Sequence, residues 1–292
     1  MTPSRTDLAR RAVAKAAEVR DRFDIPPPAA VNVLDLCGER FSPAITVRFK
    51  DISMEGVYLR EDRAEIWLGL RPLTRRVFNC AHELGHHVFG HGSTLDELQA
   101  DDAAERPFNP DEFLVNTFAA YLLMPRLAVA SAFTTRGWKA EKATPEQCFI
   151  VSCSLGVGYE TLATHLVYGL NLVTGTRSQA LLRTRLPAIR QGILGSHAPE
   201  RLTVIDYRHT VSAVDTEVGT GLLLPAGMEV EDPKLATPLD TPRGRLFQIE
   251  RPGVTRAYSV DGKWAVMVRA MPHQYVGLAR YRHLAREDGD DE

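Results

Sequence analysis

Residues 82 to 86 read His82-Glu83-Leu84-Gly85-His86, and no other run constrains the chain as much. On a helix, positions i and i+4 lie one above the other on the same face. Two neutral imidazoles so placed can hold a Zn2+ ion from one side, while Glu83 sits where it can take a proton from water. The chemistry requires an ordered helix here, and the flanking sequence predicts one from Leu73 to Phe89, closed by Gly90. Val77, Ala81, Leu84 and Val88 form the opposite, apolar stripe that can bury its back. The five-residue motif alone is not specific, because a single helical histidine is more often an ordinary buried side chain.

Two histidines do not complete a catalytic zinc site, which needs a third protein ligand and an open position. A second helix is predicted from Asp111 to Met124, with Pro110 before it and Pro125 ending it. Glu112 in its first turn is the best candidate for the third ligand, four residues before Asn116 and on the same face. Asp111 points about 100° away and is the weaker candidate; either carboxylate could equally be an ordinary N-terminal acid. Asn116 is placed to orient Glu112 through a hydrogen bond. His91, just beyond Gly90, is available to pair with a carboxylate or to touch substrate, and His87 is spare. Tyr58, Tyr121 and Tyr159 are unranked candidates for an oxyanion donor, and His165 is a weaker one.

Around this centre the pattern predicts an α+β chain. A helix spans residues 5–22, with Leu8, Val13, Ala16 and Val19 on one stripe, and a short one spans 29–38. Short strands at 45–49, 56–59 and 64–68 suggest a small antiparallel sheet. A polar, acidic linker occupies 93–110 and could hold a turn of helix or cover the cleft. Residues 145–173 split into two short helices at Gly156 or Gly158. A helix at 177–191 is weakened by Pro187, and 192–199 reads as a linker. After Arg201, short apolar runs separated by Gly, Pro and Asp predict a β-rich domain to residue 283, followed by a disordered acidic tail.

Composition narrows the function classes. Lys plus Arg is 35 against Asp plus Glu 37, a formal net charge of −2, so no global positive field advertises nucleic acid. Four cysteines in 292 residues are no disulfide scaffold. The charged N-terminus lacks the apolar core of a secretory signal, and no run approaches the roughly 20 apolar residues of a membrane span. The expected address is cytoplasmic, without membrane contact.

The run RRVFNCAHELGHHVFGHG, Arg75 to Gly92, followed by EFLVNTFAAYLLMP, Glu112 to Pro125, resembles the ImmA/IrrE family of zinc metallopeptidases. The resemblance implies a zincin-like core over residues 1–140, with His82, His86 and Glu112 on zinc and Glu83 as catalytic base. Asn79 stands where the family usually has Thr. Residues 141–175 are similar to the helix-turn-helix-like segment that follows this core, matching at Val151-Ser152 and at Leu162 or Leu166. That segment has no Lys or Arg from Pro145 to Val173, so packing or partner recognition is expected of it, and not direct DNA binding. Cys148 and Cys153 are read as buried thiols.

Residues 176–199 read as that helix and linker, and by the same resemblance 200–283 is a GAF-like sensor, with a structural or docking module as the equal alternative. The implied function is cleavage of a helix-turn-helix repressor after DNA damage or another stress. The alternatives are a regulator that binds a repressor or DNA without cutting, and a metal-dependent hydrolase of a small amide. The oligomeric state is not readable.

Overall fold

A computed structural model describes residues 3–96, 107–195, 198–241 and 244–284. The chain is α+β and divides into two compact units, Met1–Ala128 with Gln274–Arg280, and Val129–His273 with Tyr281–Glu292. Most of the expected acidic linker (97–106) and the expected acidic tail (285–292) lie outside the described residues.

In the first unit, helix α1 (Arg5–Arg22) starts at Ser4, whose hydroxyl accepts from the Asp7 amide. It buries Leu8, Ala12, Ala16 and Val19, Ala12 taking the place expected of Val13. It also buries Arg20. That guanidinium donates to the carbonyls of Leu122 (2.7 Å), Pro26 (2.8 Å) and Ala29 (2.5 Å), which makes a buried cation tolerable. The short second helix α2 (Val33–Asp35) runs into a π-helical turn, Leu36–Arg40.

Strands β1 (Thr46–Lys50), β2 (Gly56–Leu59) and β3 (Glu65–Gly69) follow where the alternation placed them. Helix α3 (Leu73–Phe89) then lies against β2 and β3. Strand β4 (Thr94–Asp96) adds to the edge of β2. The start of the linker, expected to be irregular or helical, is therefore a strand. The sheet is also not purely antiparallel: β1 and β3 pair in parallel, with Val47 opposite Ile66 and Phe49 opposite Leu68. Strand β2 pairs antiparallel on the far side of β3, so β3 inserts between the two strands that precede it.

Helix α4 (Pro110–Leu123) packs on both α1 and α3. Asn109 caps it, accepting from the amides of Asp111 (3.0 Å) and Glu112 (3.3 Å), with Pro110 at the first helical position. Past Pro125 comes α5 (Arg126–Thr134). By length and composition the stretch Pro110–Thr134 is apolar enough to cross a membrane, which corrects the expectation that no run comes near. Half of an apolar 18-residue window within it is buried inside the protein, and Leu114, Val115, Phe118, Ala119, Leu122 and Leu123 are core residues of α4.

The second unit holds α6 (Pro145–Leu155) and α7 (Tyr159–Thr164), which continues as a π-turn over His165–Gly169. A capping box of Thr144 and Gln147 begins α6, and Gly156 at φ +69° ends it. In place of one helix at 177–191 there are two, α8 (Gly175–Arg183) and α9 (Leu186–Leu194). Pro187 starts the second one, where its missing N–H costs nothing.

The β-rich region contains β5 (Leu202–Val204), β6 (Ala213–Glu217), β7 (Gly221–Leu224), β8 (Met228–Val230), β9 (Ala236–Thr241), β10 (Gly244–Ile249), β11 (Gly253–Ser259) and β12 (Ala265–Met271). Among the described residues they form two sheets, β5-β7-β10-β9 and β6-β12-β11-β8. Leu222, Leu224, Phe247 and Ile249 from one face Val214, Ala257, Val266 and Val268 from the other across one apolar core. The last strand, β13 (Gly277–Leu278), groups with the first unit and pairs antiparallel with β1, Arg48 opposite Leu278.

Candidate metal centre

Helix α3 was expected to bury one apolar stripe. Instead its middle is enclosed on all sides: Arg76 and the run Asn79 to His86 are buried. The reason is a close helix–helix crossing at Gly85. A Cβ at that position would fall 2.9 Å from Val115 Cβ and 3.2 Å from Phe118 Cδ1, both on α4. Only hydrogen fits there, and the resulting proximity brings the first turn of α4 over the histidines.

The consequence is a cluster of three donors. His82 Nε2 and His86 Nε2 are 3.2 Å apart. Glu112 completes the triangle, with Oε2 3.4 Å from His82 Nε2 and Oε1 3.6 Å from His86 Nε2. A tetrahedral ion with bonds of about 2.0–2.1 Å holds its ligands about 3.3 Å apart, close to the spacing of the two imidazole nitrogens and of each carboxylate oxygen from its nearer imidazole. The chemistry of the donors fits as well. With each Nδ1 occupied on its far side, the Nε2 atoms present lone pairs, and three acceptors this close repel unless a cation or a proton lies among them.

The far sides are occupied. His82 Nδ1 lies 3.1 Å from Asn116 Oδ1. Asn116 was expected to orient Glu112; it partners His82. His86 Nδ1 lies 2.9 Å from His91 Nδ1, and His91 Nε2 is 3.8 Å from Asp111 Oδ1. Asp111 is thus no member of the ligand triangle, while His91 has the carboxylate neighbour the sequence allowed it.

Glu83 is fully buried between α3 and the sheet. Its Oε2 accepts from Thr94 Oγ1 at 3.3 Å, and its Oε1 lies against the backbone of Gly56 on β2. Strand β2 is itself tied to the same helix by Glu55, which accepts from Asn79 Nδ2 (2.7 Å), Arg75 Nε (3.2 Å) and Arg71 Nε (3.3 Å). Burial pushes the Glu55 pKa up, but the bonds from Asn79 and Arg71 and the charge and bond of Arg75 outweigh it and hold it below the usual range. Asn79 also donates to the Glu55 carbonyl (3.2 Å), so its amide fastens strand to helix. Gly56, Glu55 and Thr94 carry no motif, and the sequence offered no signal for them.

The other candidates are placed elsewhere. Tyr58 is buried with its hydroxyl 2.9 Å from His87 Nδ1, an internal bond. Burial, reinforced by the charges of Arg60 and Arg22, lowers the His87 pKa, which keeps the ring neutral and able to accept from Tyr58. Tyr159 belongs to the second unit and donates to the Leu181 carbonyl (2.7 Å). His165 is buried in the same unit. Tyr121 is half-buried on α4. Cys148 is fully buried, and burial drives its thiol up to about 12; Cys153 goes to about 11 for the same reason.

Residues 42–166 match the family described as the IrrE N-terminal-like domain, peptidase M78. No curated protein matches the chain. The match begins just before β1, takes in α3 and α4 with all three donors and Glu83, and reaches the helices expected to be helix-turn-helix-like. Residues 42–166 are therefore similar to the IrrE N-terminal-like, or ImmA/IrrE, peptidase family, and the α+β core they form is zincin-like.

Proposed function

We propose that the chain is a zinc-dependent endopeptidase of the cytoplasm that cuts a helix-turn-helix repressor in response to DNA damage or another stress. The observation that carries the peptidase chemistry is the His82, His86 and Glu112 triangle with the buried Glu83 on the same helix. His82, His86 and Glu112 would hold the ion. When bound there, a divalent ion supplies Lewis acidity, making water a better nucleophile and polarising a carbonyl. Glu83 accepts the proton of the attacking water and passes it to the leaving amine nitrogen. Its enclosure by β2 and the Thr94 hydroxyl restricts the carboxylate to few orientations, which favours repeated transfer along one path. The repressor substrate and the stress signal are supported by the family resemblance.

The test compares new protein N-termini in cells expressing the wild type or Glu83→Gln, with and without DNA damage. A new terminus in a DNA-binding regulator, absent with Glu83→Gln, is expected. No difference under any stress, with zinc bound in both proteins, would overturn the proposal.

A further inference from the structure

Where α3 ends, the backbone returns a side chain to its own metal-binding face. Gly90 takes φ +73°, a left-handed conformation that glycine adopts without strain, and its N–H bonds to the carbonyls of His86 and His87. The next amide, His91 N–H, also reaches back to the His86 carbonyl at 3.0 Å. This reversal places the His91 ring on Phe89 (centroids 6.0 Å apart, planes at 25°) and its Nδ1 2.9 Å from His86 Nδ1. His91 is thereby joined to His86 twice, through backbone and side chain.

We propose that His91 is the positioning residue for His86: it accepts a hydrogen bond from His86 Nδ1–H and so fixes the ring with Nε2 turned toward His82 and Glu112. The inference rests on the metal-centre reading above. A ring that presents its Nε2 lone pair to an ion must carry its proton on Nδ1, and the group that receives that proton sets both tautomer and orientation. Nitrogen-to-nitrogen, only one of the two rings can donate, so His91 Nδ1 is the acceptor and its own proton lies on Nε2. That proton faces Asp111 Oδ1 at 3.8 Å, the carboxylate immediately before the third donor, Glu112. One helical turn of α4 thus supplies both a ligand and the far end of the Asp111–His91–His86 series. His82 Nδ1 faces an amide oxygen instead, Asn116 Oδ1.

The experiment uses the full chain and Zn2+ itself, with affinity measured by chelator competition and imidazole nitrogen NMR reporting the His86 tautomer. His91→Leu keeps bulk and the backbone bond but removes the acceptor. It is expected to weaken Zn2+ binding about 10- to 100-fold and to release His86 into mixed tautomers in the metal-free protein. His91→Asn, whose Oδ1 can replace Nδ1 as acceptor, should restore affinity to within about threefold of the wild type. Asp111→Asn should have a smaller effect than His91→Leu, since its contact is longer and largely exposed. Equal Zn2+ affinity in His91→Leu and wild type, or His91→Asn binding as weakly as His91→Leu, would overturn the inference. A wild-type chain that takes up no Zn2+ would instead overturn the metal-centre reading on which it stands.

Discussion

A methyl group on Gly56 would occupy the space of the Glu83 carboxylate: a Cβ there would fall 2.2 Å from Glu83 Oε1. Glu83 is held by what β2 omits. Gly56→Ala must therefore turn the Glu83 side chain or move the strand. A displacement of about 1 Å at a reacting group can cost about 10²-fold in rate, and a loss of that order in kcat/KM is expected. Steady-state kinetics on the regulator identified by its new terminus, with metal content measured in parallel, checks this. Full activity in Gly56→Ala would mean that Glu83 needs no such enclosure.

Gly85 makes the corresponding space on the other side of α3. In Gly85→Ala the added methyl meets Val115 and Phe118, branched and aromatic groups inside a packed crossing, at 2.9 to 3.2 Å. Overpacking of this kind typically costs about 1–3 kcal/mol. Because Glu112 arrives on α4, the same substitution should also weaken Zn2+ binding. Urea unfolding and chelator competition on one preparation read both effects, and a stable protein with wild-type affinity would contradict the account of the crossing.

Metal removal should be visible as lost stability. A ligand that binds only the folded state at 100 times its Kd contributes about 2.7 kcal/mol. The wild-type Tm is expected to fall on chelation, while Glu112→Ala, deprived of one donor, should begin lower and respond far less. Calorimetry with and without chelator distinguishes this from a site that never bound metal, where both proteins would ignore the chelator.

The second unit has its own acid sensitivity. Burial would raise the Asp206 pKa, but hydrogen bonds from His209 and Arg136 and the Arg136 charge outweigh it and hold the carboxyl well below its usual value of 3.8. Arg136 Nε and Nη2 donate to its two oxygens at 2.7 and 2.8 Å. The unfolded chain therefore binds the proton first, so this contribution is complete above pH 3.8 and is lost as the pH falls through the folded value. Asp206→Asn should be less stable at neutral pH and show a shallower loss on acidification to about pH 3. Parallel pH-dependent slopes for the two proteins would refute the linkage.

Those parts of the molecule written in local chemistry were legible in the sequence. The limits of α3 followed from Leu73 and Gly90, those of α4 from Pro110 and Pro125, and the reach of Glu112 from its place on the first turn. Pairings between distant residues were not. Strand β6 has no apolar alternation to announce it: its middle residue is Asp215, whose carboxylate accepts from Arg269 (2.7 Å) and Arg282 (2.7 Å), 54 and 67 residues later. Strands β4 and β13 are too short to alternate visibly, and the parallel pairing of β1 with β3 has no local signature. Asn79 looked like a neutral departure from a pattern, yet it is a helix-to-strand fastening whose partner, Glu55, precedes it by 24 residues. Gly56 resembled any other strand glycine until Glu83 was found against it.

The return of β13 to β1 gives the chain an order that its β-rich region conceals. Val129–His273 is bracketed by two parts of the first unit, so it is an insertion and not an appendage. A peptidase half cannot be released by a single cut after Ala128, because Gln274–Arg280 would leave with the remainder and uncover the edge of β1. During synthesis the sheet that carries the Glu83 enclosure waits for β13 until all of Val129–His273 has been made. Inheritance is bound by the same geometry: a recombination event that exchanged the β-rich region would have to conserve both of its junctions.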